Sequence, residues 1–131
     1  MIWRKELRWG RFWWLCDWAI LLAVVLGSLM PPNEFPVPTL FNDKALHFGG
    51  YFLMSFWFAG SLDRRRYVWV AVGLLLLGAL IEVLQHLMGY GRDAELRDFV
   101  ADAVGIALGL GIAFAGFGNW MAWIERQFKT A

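Results

Sequence analysis

The sequence predicts an all-α fold, a four-helix transmembrane bundle with its N- and C-termini in the cytoplasm. Three observations predict it. Of the 131 residues, 60% are apolar and only 18% charged, whereas a soluble domain is nearer half apolar and about a quarter charged. Four apolar stretches, at about 12–30, 43–62, 67–88 and 98–123, come close to or exceed the roughly 20 residues that a helix needs to cross a hydrocarbon core of about 30 Å. The basic residues, finally, gather in alternate connections between these stretches.

Each stretch has a stop signal. The first ends at Pro31-Pro32, the second at Asp63-Arg64-Arg65-Arg66, the third at Gly89-Tyr90-Gly91 and the fourth before Glu125-Arg126. Backbone groups in lipid must be paired within the segment, so each stretch should be helical. The first follows basic residues as a signal peptide would. It lacks a small-residue cleavage site, because Gly27-Ser28-Leu29-Met30 runs straight into prolines, so an uncleaved helix is expected. The length fits one domain, 1–131. A single cysteine, Cys16, excludes an internal disulfide, and a net charge of +1 gives no reason to expect a nucleic-acid partner.

Orientation follows from Lys and Arg in the short loops. Arg4, Lys5, Arg8 and Arg11, then Arg64, Arg65 and Arg66, then Arg126 and Lys129 mark three segments for the cytoplasmic side. The Pro31–Asn42 loop has no Lys or Arg, and Arg92 and Arg97 are balanced by Asp93 and Glu95, so both of these loops belong outside. Trp3, Trp9, Trp13, Trp14 and Trp18, with Trp69, Trp120 and Trp123, would then form an interfacial belt at the inner surface. Asp17 falls near the inner end of the first helix and reads as interfacial.

Counting depth brings the polar residues together. At about 1.5 Å per residue, His47 lies about 25 Å from Arg64 and Glu82 about 24 Å from Arg66. Both therefore sit in the outer half of the membrane. Gln85 is about one turn further out, and Asp102, about 35 Å from Glu125, lies near the outer boundary. Asp43, Lys44, His86, Arg92 and Asp98 fall at or above it. Asp43, His47 and Tyr51 step by four, as do Asp98 and Asp102, and Glu82 and Gln85 step by three, so each set shares a helix face. Asp43 also suits an N-cap. Ionisable groups within a membrane cost several kcal/mol unless paired or wet, so such a cluster is a candidate site. The alternative is a polar knot that only fixes helix packing. Ala101, Gly105 and Gly109 form a small-xxx-small row suited to close helix approach, and Gly49, Gly50 and Gly60 should serve similarly in the second helix.

These residues also resemble a family. Asp43-Lys44-Ala45-Leu46-His47-Phe48, followed by Tyr51, resembles the D-K-x-x-H-F-x-x-Y signature of VanZ-like proteins, and Glu82-Val83-Leu84-Gln85 resembles their E-x-x-Q. Gly91-Arg92, Asp98, Gly105 and Gly109 follow in the family's order. The resemblance spans most of the chain, from Asp43 to Gly109. One position departs: Asp102 stands where the family usually has asparagine. The resemblance implies a bacterial inner-membrane protein of the cell envelope, with a link to low-level teicoplanin resistance. It implies no particular reaction.

Three functional readings follow. In the first, an outward-facing polar pocket binds an amphiphile, such as a lipid-linked envelope precursor or a lipoglycopeptide, with Asp43, Lys44, Tyr51, Gln85, Arg92, Asp98 and Asp102 lining it. In the second, Glu82 and His47 act as catalytic acid and base on a lipid-borne substrate. In the third, the chain is a structural or assembly factor. No cofactor is expected. There is no dense metal-ligand motif, so no metal is expected either, although His47, Glu82, Asp98 and Asp102 are residues a hard cation would accept.

Overall fold

The computed structural model describes residues 6–30, 43–89 and 96–128. It is all-helical, with no strand among the described residues. Helix α1 spans Gly10–Leu29, α2 Asp43–Ser61, α3 Tyr67–Met88, α4 Leu96–Phe114 and α5 Trp120–Gln127. A 3-10 turn, Arg64–Arg66, leads into α3, and another, Phe117–Asn119, leads into α5. Helix α1, and α3 with its leading turn, are long and apolar enough to cross a membrane, and α4 with α5 qualifies only as a bent pair.

The last of these corrects the expected fourth helix. The apolar pattern predicts a helix running to about 123; it stops at Phe114, and the chain turns by 82° before α5. The cause is local. Gly116 adopts φ 129°, a conformation open to glycine and costly for other residues. Arg64 fixes the break by donating from Nη2 to the Phe114 carbonyl at 2.7 Å, with its guanidinium 3.5 Å from the Phe114 ring centroid. A cation at a helix C-terminus satisfies an orphan carbonyl and opposes the helix dipole.

Helices α2 and α4 run side by side at close quarters because Gly105 and Gly109 lie between them. A Cβ on Gly109 would meet Ser55 Oγ and sit 2.6 Å from the Phe52 carbonyl; one on Gly105 would meet the Phe48 carbonyl. Gly60 gives the Trp120 indole its place against α2. Gly49 and Gly50 have no such part, since a Cβ on either would meet nothing within 4 Å. Tyr51, Met54, Val70, Leu74 and Ile106 form the central apolar core, against which Ile20, Leu21 and Val24 of α1 pack. Leu15, Leu22 and Leu26 of α1 and Leu76, Leu80 and Leu87 of α3 remain exposed.

At the end carrying the arginine turn, two carboxylates are buried that the sequence places at a surface. Glu125 on α5 accepts from the backbone N–H groups of Arg8 and Trp9, at 2.7 and 3.0 Å, and from Trp13 Nε1 at 2.8 Å. It thereby caps the start of α1 from 116 residues away. Asp17, 3% exposed, accepts from Trp57 Nε1 at 2.8 Å. Trp13, Trp57 and Trp120 stack edge to face around these acids, with centroids 4.9 to 6.1 Å apart. Trp13 thus belongs to the interior, whereas Trp9, Trp14, Trp18, Trp69 and Trp123 are exposed. Trp3 lies outside the described residues.

Burial pushes the Glu125 carboxyl up, but the Trp9 and Arg8 amides, the Trp13 indole and the Arg8 charge outweigh it and hold the pKa below its usual value. A depressed carboxylate stabilises the fold fully above the ordinary glutamate pKa, about 4.3, and that stabilisation is lost as pH falls through the folded value. Glu125→Ala is expected to cost about 2 kcal/mol at neutral pH through orphaned donors. A detergent melting series from pH 7 to pH 3 checks this: the gap between wild type and variant should close on acidification.

Candidate functional site

Helices α2 and α4 begin, and α3 finishes, at the end opposite the arginine turn. That arrangement delivers the first turns of two helices and the last turns of a third to one place. His47 comes from α2, Glu82 from α3, and Asp98 and Asp102, one turn apart, from α4. Glu82, Asp98 and Asp102 are 8%, 5% and 0% exposed, so the cluster is interior.

His47 is its centre. Nδ1 lies 2.9 Å from Asp102 Oδ1, and Nε2 lies 3.7 Å from Glu82 Oε1. An ionised carboxylate can only accept, so with Asp102 ionised Nδ1 carries the proton. A neutral imidazole is then the Nδ1–H tautomer, its second nitrogen turned toward Glu82. Asp98 stands beside them, its Oδ1 3.5 Å from Lys44 Nζ. The Lys44 side chain is 43% exposed, which puts a cation at the rim of the cluster.

Asp102 fits because Gly78 on α3 has no side chain. A Cβ there would lie 2.7 Å from Asp102 Oδ2 and 3.3 Å from the Tyr51 hydroxyl. Sequence reasoning does not single out Gly78, although it sits four residues before Glu82 and so on the same helix face. Tyr51, 3% exposed, belongs to the cluster's floor. Tyr51 Oη and Asp102 Oδ2 are both buried without a hydrogen-bond partner among the described residues.

Three expected site residues are not seen to join the cluster. Gln85 donates from Nε2 to the Ser28 carbonyl at 2.7 Å, tying α3 to the last turn of α1. Arg92 and the side chain of Asp43 lie outside the described residues, although α2 does begin at Asp43.

Comparison with protein-family models, with curated proteins and with solved structures gives no match. The functional reading therefore rests on the cluster itself. Asp102 illustrates how. It stands at the one position that departs from the pattern the sequence resembles, and it approaches His47 more closely than Glu82 does. An asparagine could accept the same hydrogen bond through its carbonyl oxygen but would bring no charge. A groove of about 510 Å³ between α1, α2 and α3, lined by Leu21, Phe58, Trp69 and Leu74 among others, opens by Arg66 at the opposite end. It shares no residue with the cluster.

Proposed function

We propose that this chain is a VanZ-like, four-span protein of the bacterial inner membrane. Its termini lie in the cytoplasm, and its His47–Glu82–Asp98–Asp102 cluster faces outward. There it binds the headgroup of an amphiphile, a lipid-linked envelope precursor or a lipoglycopeptide of the teicoplanin kind. The observation that carries the reading is the convergence of three buried carboxylates and the partly buried His47, from three helices, beside the half-exposed Lys44. Burying so many charges costs several kcal/mol, and converging polar groups next to apolar walls are what an amphiphile's headgroup requires. The alternate placing of basic residues supports the orientation.

A second reading, a membrane-embedded acid–base enzyme, is favoured by the relay from Asp102 through His47 to Glu82. A histidine oriented by a carboxylate, with its other nitrogen facing a second acid, suits proton transfer to a bound substrate.

Lipid mass spectrometry on the full chain in mild detergent tests the first reading. An anionic amphiphile should co-purify near one per chain, and Lys44→Gln should lower its retention several-fold. Protein free of specific lipid in several mild detergents would overturn the proposal. Release of a chemically altered lipid would favour the enzyme.

A further inference from the structure

We infer that His47 Nε2, Glu82 and Asp98 hold a divalent cation of the zinc class, with Asp102 fixing the imidazole behind it. The inference rests on reading the cluster as a ligand site, and it names what an anionic headgroup would meet there.

Geometry comes first. One ligand atom from each of the three residues lies within 4.8 Å of the other two. Bonds of about 2.0–2.1 Å to tetrahedral zinc place neighbouring ligand atoms about 3.4 Å apart. His47 Nε2 and Glu82 Oε1, at 3.7 Å, are already within a few tenths of that spacing. The remaining gap is of a size that side-chain torsions of Asp98 and Glu82 close.

The back of the imidazole supplies an independent sign. Metal-bound histidines almost always donate their other N–H to a carboxylate or carbonyl, which fixes the tautomer and raises the basicity of the ligating nitrogen. Asp102, fully buried, takes that place on Nδ1 at 2.9 Å. Asp98 adds a third sign: its Oδ1 is buried and, among the described residues, receives no hydrogen bond, facing the half-exposed Lys44 ammonium at 3.5 Å.

Charge points the same way. Among the described residues the cluster sets three carboxylates, Glu82, Asp98 and Asp102, against the single ammonium of Lys44. With His47 neutral, as a ligand must be, a divalent cation offsets the charge of the converging carboxylates, which a low-dielectric interior favours. An imidazole with two carboxylates suits zinc and its transition-metal neighbours; calcium and magnesium prefer all-oxygen shells of six or more. Three protein ligands leave a coordination position open, and a phosphate or carboxylate oxygen of the headgroup would take it, with Lys44 beside it.

The test uses the full chain in nanodiscs, stripped with chelator and titrated with Co²⁺ and then Zn²⁺. One equivalent of Co²⁺ should bind with the intense visible bands of four- or five-coordinate cobalt, and Zn²⁺ should displace it. His47→Gln should weaken binding by more than about 100-fold. Asp102→Asn should weaken it by about 10–100-fold, the usual effect of altering the group behind a metal-bound histidine. His86→Gln should leave affinity unchanged. No stoichiometric binding, the faint spectrum of six-coordinate cobalt, or equal affinity in wild type and His47→Gln would overturn the inference. Where a variant fails to fold, the wild-type spectrum decides alone. Lipid analysis of the same samples separates the two proposals: metal without lipid overturns the amphiphile reading only, and lipid without metal overturns the cation only.

Discussion

Glu82→Gln is expected to weaken ligand retention by at least an order of magnitude while leaving the helices as stable as before, or more so. The exchange keeps shape and removes one of three buried carboxylates that crowd His47. Charge-assisted hydrogen bonds are worth about 1.5–3 kcal/mol, so affinity for a ligand that uses Glu82 should fall by about 10- to 150-fold. Relief of like-charge repulsion with Asp98 and Asp102 acts on the fold in the opposite direction, because like charges repel strongly in a low-dielectric interior. The two readouts therefore separate function from structure. Lipid mass spectrometry should record the loss, and the apparent Tm in detergent should stay level or rise. If Glu82 served only to knit helices together, the variant would melt lower or be degraded in the cell.

Gly109→Leu is expected to destroy the fold and the site together. The new side chain would start against Ser55 Oγ and 2.6 Å from the Phe52 carbonyl. Backbone cannot rotate away as a side chain can, so α2 and α4 must part. Overpacking costs about 1–3 kcal/mol where side chains can adjust, and more where they cannot. The cost should exceed about 3 kcal/mol here. The hydrogen bond between His47 and Asp102 should break as well, because the same two helices carry both residues. Gly49→Ala and Gly73→Ala meet nothing within 4 Å and should be tolerated, or stabilise a helix by up to about 1 kcal/mol. Thermal melts and limited proteolysis of the three variants check the contrast.

The site was legible in the sequence to the extent that depth is. A helix advances by a fixed rise, so counting from the arginine turn put His47 and Glu82 at one level, and four-residue spacing put Asp98 and Asp102 on one face. What lay across the helix axis was not legible. Gly105 and Gly109 look in sequence much like Gly49 and Gly50, yet only the first pair lies against another backbone. Glu125 and Asp17 read as surface acids because their partners, the first amides of α1 and Trp57, are distant in the chain. Gln85 shares a face with Glu82, yet it reaches α1. The end of α4 escaped for a different reason: hydropathy runs on through Ala115 to Trp120, while Gly116, Gly118 and Asn119 mark a break that a count of apolar residues ignores.

The most direct measurement is on the imidazole of His47. The chain has two histidines, so ¹⁵N-histidine labelling of a His86→Gln chain in nanodiscs leaves a single ring to observe. The expected spectrum has one tautomer, with a far-downfield, exchange-protected Nδ1 proton that disappears in Asp102→Ala, and an Nε2 resonance that moves in Glu82→Gln. An imidazole that averages between tautomers, exchanges freely with water and ignores both substitutions would contradict the convergence of α2, α3 and α4 on this cluster.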